Sequence, residues 1–260
     1  MNHQLRTFSI LFFTCSIGAI SSCTPEVVNE GIQFKLIRTN TKPVNGTAYI
    51  TEFLYSEENQ LEGLLLDRED DTQWEQRMTY SGDFLISRFT IFDGESYSRD
   101  SLVYNAEGQV TTQYIRFLST FNPPNNQFRV FQYNSEGLVQ RIDSHDLESQ
   151  DLWGYSLYQW EDGNLVLEQR FDEDDVPLFE IQRTFDDKNH RFGNLPESLT
   201  YPLHQSTNNE LTVTYVDLTE TGSYNFACEN CLHQYTYDQD GNVILDENTT
   251  QVREFTWEEL

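Results

Sequence analysis

A short motif recurs along this chain with a period of about 25 residues, and it constrains the fold more than any other feature. Each copy has an aromatic residue, then a polar turn, then an aliphatic residue. Five copies follow one another closely, and they begin at Tyr55, Tyr80, Tyr104, Tyr133 and Trp160. Further copies begin at Phe185 and Tyr237, with a degenerate copy at residues 207–211 between them. A fixed period of this kind predicts an array of similar structural units.

The polar part of each copy has the composition of a β-hairpin loop. Three copies have Asn or Asp at the first position of the turn and Gly at the fourth, where Gly can take the positive φ that closes the loop. These turn glycines are Gly108, Gly137 and Gly241. Two shorter copies predict two-residue loops at residues 81–82 and 162–163, the second of which contains Gly163.

Apolar and polar residues alternate on both sides of the turns, as they do around Trp160 and Leu165. Alternation places the apolar residues on one face of a sheet, so the aromatic residues are expected to form the core. The predicted fold is all-β: an antiparallel meander of repeated β-hairpins that forms one extended, twisted sheet. The sheet either curls into an open barrel or packs as a sandwich. Strands at residues 32–37 and 252–257 are expected to cap the array.

The motif resembles the YD repeats of the RHS family, which are named for a Tyr-Asp pair before a Gly turn. It is more similar still to small YD-like lipoproteins of Bacteroidetes whose domains have no known function. Tyr237-Asp238 is a literal Tyr-Asp pair, whereas the other copies have Tyr-Asn, Tyr-Ser or Trp-Glu. The resemblance implies a repeat scaffold without catalytic residues. Because the chain lacks the great length of true RHS proteins, their encapsulating role is not implied.

The beginning of the chain predicts export. Residues 8–20 are almost wholly apolar, too short a run to cross a bilayer as a helix but typical of a signal peptide. The run ends at Ile20-Ser21-Ser22-Cys23, which resembles the lipobox of bacterial lipoproteins. This resemblance implies a signal peptide at 1–22, a lipidated Cys23, a tether at 23–31 and a repeat domain at 32–260. An ordinary signal peptide with a later cleavage site is the alternative.

The predicted location is the outer membrane, because Thr24 follows the cysteine instead of the Asp that retains bacterial lipoproteins in the inner membrane. Anchoring by more than one acyl chain makes membrane attachment durable. The sequence leaves open whether the domain faces the periplasm or the cell surface.

The formal net charge of −27 argues against nucleic acid as a partner, because phosphates would be repelled. Acidic segments lie mainly between the hairpins, at the edge opposite the motif turns, and we expect binding residues at that edge. There Asp172, Asp174 and Asp175 offer carboxylates to calcium, although we favour solvated acidic turns. No other metal and no cofactor is expected. Residues 185–203 break the repeat and predict a long loop with one short helical turn.

Cys228 and Cys231 are the cysteines that remain after Cys23, and they lie in Cys-Glu-Asn-Cys. In an oxidising compartment we expect them to pair as a disulfide across a tight turn. A zinc half-site that includes His233 and a pair of free thiols are the alternatives. A thioredoxin-like site would need a following helix, which this segment does not predict.

No catalytic motif occurs in the sequence, and we predict a protein that is not an enzyme. The predicted function is a lipid-anchored envelope protein that binds a glycan, a peptide or another envelope protein. A structural or assembly component of the outer membrane is one alternative. A glycoside hydrolase with two carboxylates is another, but the 43 acidic residues do not single out a pair.

Overall fold

The structure is a computed structural model that describes residues 34–119, 126–190, 202–219 and 230–259. Within them the chain forms seventeen β-strands and a 3₁₀ turn at Pro202–Gln205. The strands are β1 (Phe34–Pro43), β2 (Tyr49–Tyr55), β3 (Leu61–Arg68), β4 (Gln73–Ser81), β5 (Phe84–Phe92), β6 (Glu95–Tyr104), β7 (Val110–Phe117), β8 (Gln127–Tyr133), β9 (Val139–Asp146), β10 (Leu152–Glu161), β11 (Asn164–Asp172), β12 (Pro177–Asn189), β13 (Asn208–Asp217), β14 (Asn230–Leu232), β15 (Gln234–Tyr237), β16 (Val243–Glu247) and β17 (Gln251–Glu259). Among the described residues, no helix has the length and apolar character needed to cross a membrane.

The strands form one antiparallel meander that curls into a nearly closed barrel. β1 pairs with β2 on one side and with β17 on the other, where Phe34 lies opposite Glu259. The ring has one unsealed seam, since within the described residues no pairing joins β14 to β15, which are separated by His233. The predicted all-β meander is confirmed, and the barrel is the form it takes. The first and last strands were expected to cap the two ends of the array, and they instead pair with each other and close the ring.

The repeat motif is held together by one recurring hydrogen bond. In five copies the aromatic residue before the turn donates from its Oη or Nε1 to the backbone carbonyl of the aliphatic residue in the neighbouring repeat, and Trp257 in β17 makes the same bond, all at 2.6–2.8 Å. The pairs are Tyr55–Leu36, Tyr80–Leu61, Tyr104–Leu85, Tyr133–Val110, Trp160–Val139 and Trp257–Val243. These six aliphatic side chains are at most 4% exposed. Each repeat therefore fixes the position of the next.

A β-bulge occurs at the same place in six hairpins, and in five of them the aromatic residue also makes this bond. In the sixth, the Tyr237 hydroxyl donates to the Asp186 carboxylate instead. In the first, Tyr55 pairs with Leu61 and Leu54 pairs with Gly63, so Glu62 is the extra residue. The bulge lets the aromatic residue and the aliphatic residue face the same side and adds twist to the sheet. That side, the inner face, carries the core.

The motif turns have the predicted chemistry. Gly108, Gly137 and Gly241 have φ of 80°, 82° and 87°. The Asn105 side chain accepts hydrogen bonds from the backbone N–H groups of Glu107 and Gln109, and these add to the backbone bonds between Asn105 and Gly108 and between Asn105 and Gln109.

The two shorter turns are two-residue loops. One contains Gly163 at φ 75° and is placed as predicted, between the paired residues Glu161 and Asn164. The other lies at Gly82–Asp83, one residue later than predicted, because Ser81 still pairs with Phe84.

The segment before β13 differs from its prediction. β12 continues to Asn189, so Phe185 belongs to a strand and not to the long loop. Residues 191–201 of the predicted loop lie outside the described residues, and the 3₁₀ turn at Pro202–Gln205 overlaps the end of the predicted segment. Residues 207–211 are not a degenerate turn, because Asn208 already begins β13. The backbone N–H of Asn208 donates to the Asn164 side chain, so this Asn bonds across strands instead of closing a turn.

Candidate functional site

The barrel has two rims. The motif turns after strands such as β2, β4 and β6 lie along one, here called the turn edge, and the remaining connections lie along the other, the loop edge. Near the turn edge the inner face is apolar and packed. Farther along, it becomes polar, and the side chains of Arg88 and Asp100, each 13% exposed, form an ion pair of 2.7 Å.

A cavity of about 370 Å³ lies on the inner face of β2, β3 and β4, between the packed core and the loop edge. Its walls are Tyr49, Thr51, Leu64, Leu66, Arg68, Trp74 and Gln76. These residues face the same side as the core because they alternate with outward residues and pair with one another across the strands. A volume in this range is typical of a site for a small molecule. We call it the inner cavity.

The inner cavity is open because Thr51, one of its wall residues, has a small side chain. Thr51 lies opposite Leu66, and the next inward pair toward the loop edge is Tyr49 with Arg68. A threonine between large neighbours does not fill its position, whereas Phe53, the next inward residue toward the turn edge, is 9% exposed and packs in the core.

Two polar atoms of the cavity wall are buried without a hydrogen-bond partner among the described residues: Arg68 Nε and Gln76 Oε1. Which end of the Gln76 amide carries oxygen is assigned from its surroundings. Buried polar groups are bonded in the great majority of cases, so two exceptions on one wall call for an explanation.

The carboxylate nearest to Arg68 belongs to Asp70, at 3.8 Å from Nε. Asp70 is held by other partners, because its oxygens accept from the Thr72 hydroxyl at 2.6 Å and from the Thr47 hydroxyl at 3.3 Å. The Thr72 bond, with Arg68 nearby, keeps the pKa of the Asp70 carboxyl below its usual value. Asp70 therefore stays ionised but does not close on Arg68.

An arc of aromatic rings continues from the cavity along the loop edge. Trp74 lies 4.7 Å from Phe92 and 5.0 Å from Tyr97, and Tyr97 lies 5.9 Å from Phe117, measured between ring centroids. The loop edge was predicted to carry binding residues, and the inner cavity lies just inside it.

Aromatic pairs also lie on the outer face, but their geometry does not suit a glycan platform. Phe128 stacks on His145 at 4.7 Å, and Tyr155 stacks on Phe171 at 4.9 Å, with interplanar angles of 7° and 12°. Arg141 lies 3.8 Å above the Tyr155 ring. Because one face of each ring packs against the ring on the neighbouring strand, these pairs act as cross-strand packing.

A chain of ionisable side chains crosses the seam. Arg183 is 2% exposed and bonds to Glu168 at 3.1 Å and to Glu210 at 2.9 Å. His233 lies between Glu210, 3.6 Å from Nε2, and Asp246, 2.7 Å from Nδ1. We call these five residues the seam cluster. They connect β11, β12, β13 and β16, so side chains replace backbone bonds where β14 and β15 do not pair.

The predicted site residues have separate positions in the structure. Asp172 Oδ1 accepts from the backbone N–H groups of Asp174 and Val176, and Asp175 accepts from the Tyr155 hydroxyl, so these acids have structural partners within or beside their turn. Within the described ranges, no group of three or more His, Cys, Asp or Glu side chains is placed to hold a metal ion.

Cys231 is disulfide-bonded, while Cys23 and Cys228 lie outside the described residues, so the lipid and the pairing with Cys228 stay predictions. His233, considered as a zinc ligand, is bonded to carboxylates of the seam cluster.

Carboxyl groups with a shifted pKa give no support to acid catalysis. A hydrogen bond from the Ser149 backbone lowers the pKa of Asp146, as Thr72 does for Asp70. At Asp238 burial acts in the opposite direction, but hydrogen bonds within its turn lower the pKa on balance. A general acid in a glycoside hydrolase needs a raised pKa.

The inner cavity was not predicted from the sequence. The signal that could have indicated it is the inward Thr51 in a strand whose other inward residues are Tyr49, Phe53 and Tyr55. A small polar residue at a core position of an otherwise large series marks a place where the core is incomplete.

Comparison with solved structures shows that porin-like proteins have a similar fold. No protein-family model and no curated protein matches this chain. A porin-like protein from Bacteroides uniformis is 12% identical, with 86% of this chain and 96% of that one covered and a TM-score of 0.57. A porin-like protein from Bacteroides vulgatus is 11% identical, with 86% and 99% covered and a TM-score of 0.52. Membership of the YD-repeat lipoproteins stays a prediction.

Proposed function

We propose that this chain is a lipid-anchored lipoprotein of the outer membrane whose barrel binds a small, largely apolar molecule without transforming it. The fold that it shares with porin-like proteins of Bacteroides supports an envelope location. The lipobox-like Ile20-Ser21-Ser22-Cys23 supports the anchor. Binding without chemistry is consistent with a sequence in which no catalytic motif occurs.

The observation that carries the proposal is the inner cavity. Its wall combines Leu64, Leu66, Tyr49 and Trp74 with a few polar atoms, which is the usual composition of a small-molecule site. The inner cavity, of about 370 Å³, is open on one side and leaves apolar side-chain surface in contact with water, which is unfavourable. A bound molecule would cover that surface.

Alternative functions have less support. A glycan-binding protein would present free aromatic ring faces. On the outer face, Phe128 stacks on His145, and Tyr155 contacts both Phe171 and Arg141. A structural component of the envelope predicts no saturable small-molecule binding at all.

The test uses the full chain with Cys23→Ala, so that no acyl chain is attached, and the neutral fluorophore N-phenyl-1-naphthylamine. We expect saturable binding at one site per chain, seen as a rise in fluorescence. Thr51→Phe places a ring in the cavity and should abolish it. Thr79→Phe, the same exchange at an exposed position of β4, should leave binding unchanged. Equal binding by both variants, or no saturation, would contradict the proposal.

A further inference from the structure

We propose that the inner cavity selects an elongated amphipathic carboxylate, with its charged end on Arg68 and its apolar chain along Leu66 and Leu64. This inference rests on the proposed binding function and adds the chemical class of the ligand. The cavity wall carries two independent indications of that class: its one cationic side chain and its length.

The first indication is the state of Arg68. Its Nε is buried and has no hydrogen-bond partner among the described residues, while the Asp70 carboxylate is held 3.8 Å away by bonds to Thr72 and Thr47. A guanidinium offers planar paired donors that match a carboxylate. A ligand carboxylate would supply the acceptor that Asp70 is prevented from supplying.

The second indication is the shape of the wall. Arg68 and Leu64 lie four positions apart on β3, which separates them by about 13 Å at the rise of an extended strand. Leu66 lies between them on the same face, and Trp74 lies opposite Leu66. The wall is therefore an apolar track with a cation at the end nearer the loop edge, which orients a chain with its carboxylate outward.

The acidic surroundings do not reverse the preference for an anion. Asp67, Glu69, Asp70 and Asp71 are exposed, so the high dielectric constant of water weakens their repulsion of an anion, including that of Asp70, which lies 3.8 Å from Arg68 Nε. The Arg68 side chain lines the cavity and is 37% exposed, so a ligand in the cavity can contact its guanidinium group. Contact with the one cation of the cavity wall therefore outweighs repulsion from carboxylates that are in water.

The test measures displacement of N-phenyl-1-naphthylamine from the full chain with Cys23→Ala by decanoate and by decanol. The two competitors have chains of equal length and differ in charge. We expect decanoate to displace the probe at a concentration at least about tenfold lower, because charge-assisted bonds to Arg68 outweigh the greater hydration of the anion. Arg68→Met should remove this preference and keep probe binding. Arg77→Met, at an exposed position of the neighbouring strand, should keep both.

The outcomes separate the two proposals. If decanol displaces the probe as well as decanoate does, or if Arg68→Met keeps the preference, the cavity is not selective for carboxylates and the inference is wrong. If the probe binds and neither competitor displaces it, the inference is also wrong, but the proposed binding function is unaffected. If the probe does not bind saturably, the proposed function fails and the inference fails with it. Retained probe binding also shows that Arg68→Met is folded.

Discussion

The indole Nε1 of Trp160 donates a hydrogen bond of 2.6 Å to the backbone carbonyl of Val139, a residue of the preceding repeat whose side chain is fully buried. The same bond links five other aromatic–aliphatic pairs around the barrel. Neither Tyr nor Trp could be replaced by Phe at these positions without loss, because the ring packs in the core while its donor satisfies a carbonyl. The repeat is therefore characterised by the side-chain donor of its aromatic residue as well as by its turn.

Tyr104→Phe tests this bond. The exchange keeps the ring and removes the donor to the Leu85 carbonyl, 2.7 Å away. We expect the free energy of unfolding to fall by about 1–2 kcal/mol, the cost of a partly buried carbonyl without its partner. Urea denaturation at neutral pH measures it. Tyr114→Phe removes a hydroxyl from a side chain that is 38% exposed and should change little. A similar loss in both variants would show that the bond is not the cause.

Alkaline pH should unfold the barrel through the same residues. Burial raises the pKa of Tyr104 and of Tyr133 to about 12, from an ordinary value of 10.0. Because the folded state retains these protons more strongly, their contribution is complete below pH 10 and is lost as the pH rises toward 12. Urea midpoints measured across this interval should fall, and the fall should be smaller in Tyr104→Phe. A flat profile would contradict the assigned direction.

Removing the charge of Asp246 should open the seam. This side chain is fully buried and its Oδ1 lies 2.7 Å from His233 Nδ1. Asp246→Asn leaves the seam cluster without one of its carboxylates, and we expect the free energy of unfolding to fall by about 1–3 kcal/mol, the cost of leaving a buried polar group without its hydrogen-bond partner. Hydrogen exchange should rise first in β13 and β15.

The control for the seam is Glu254→Gln. Glu254 pairs with Lys42 at 3.4 Å, and both side chains are more than half exposed. Such a pair contributes at most about 1 kcal/mol. If Asp246→Asn costs no more than this exchange, the seam cluster does not hold the barrel together.

Gln76→Leu should stabilise the protein. The exchange replaces a buried, unpartnered acceptor by an apolar group of similar size, and we expect a gain of about 1 kcal/mol in urea denaturation. A stabilising change at a cavity wall is the mark of a residue kept for binding rather than for folding. Gln113→Leu is the contrasting variant: among the described residues Gln113 Oε1 is likewise buried without a partner, but Gln113 Nε2 donates to Asp100 at 2.9 Å, and loss of that bond should destabilise. Destabilisation by both would argue that Gln76 has a structural role.

The local parts of the fold could be predicted because neighbouring residues determine them. The hairpin around Gly108 follows from Asn105 and a glycine at positive φ, and both are visible in the sequence. Closure of the ring could not be predicted, because the pairing of Phe34 with Glu259 depends on the accumulated curvature of every strand between them. The error at residues 207–211 has a related cause: Asn208 has the composition of a turn residue but bonds to Asn164 on another strand.

The candidate site was predicted only as a region. The loop edge was identified from its variable, acidic connections, whereas the inner cavity depends on the size of Thr51 relative to residues on two other strands. The seam cluster was missed for the same reason. Glu168, Arg183 and His233 are ordinary in the sequence and become a unit only when four strands bring them together.

The pairing of β1 with β17 also sets the order in which the molecule can be completed. Until β17 is in place, β1 can pair only with β2, and its other edge stays open. An open edge is a template for other chains, so the protein is exposed to edge-to-edge aggregation until β17 has paired with β1. A chain cut short before Gln251 would keep that hazard permanently, since β1 and β16 would each present a bare edge.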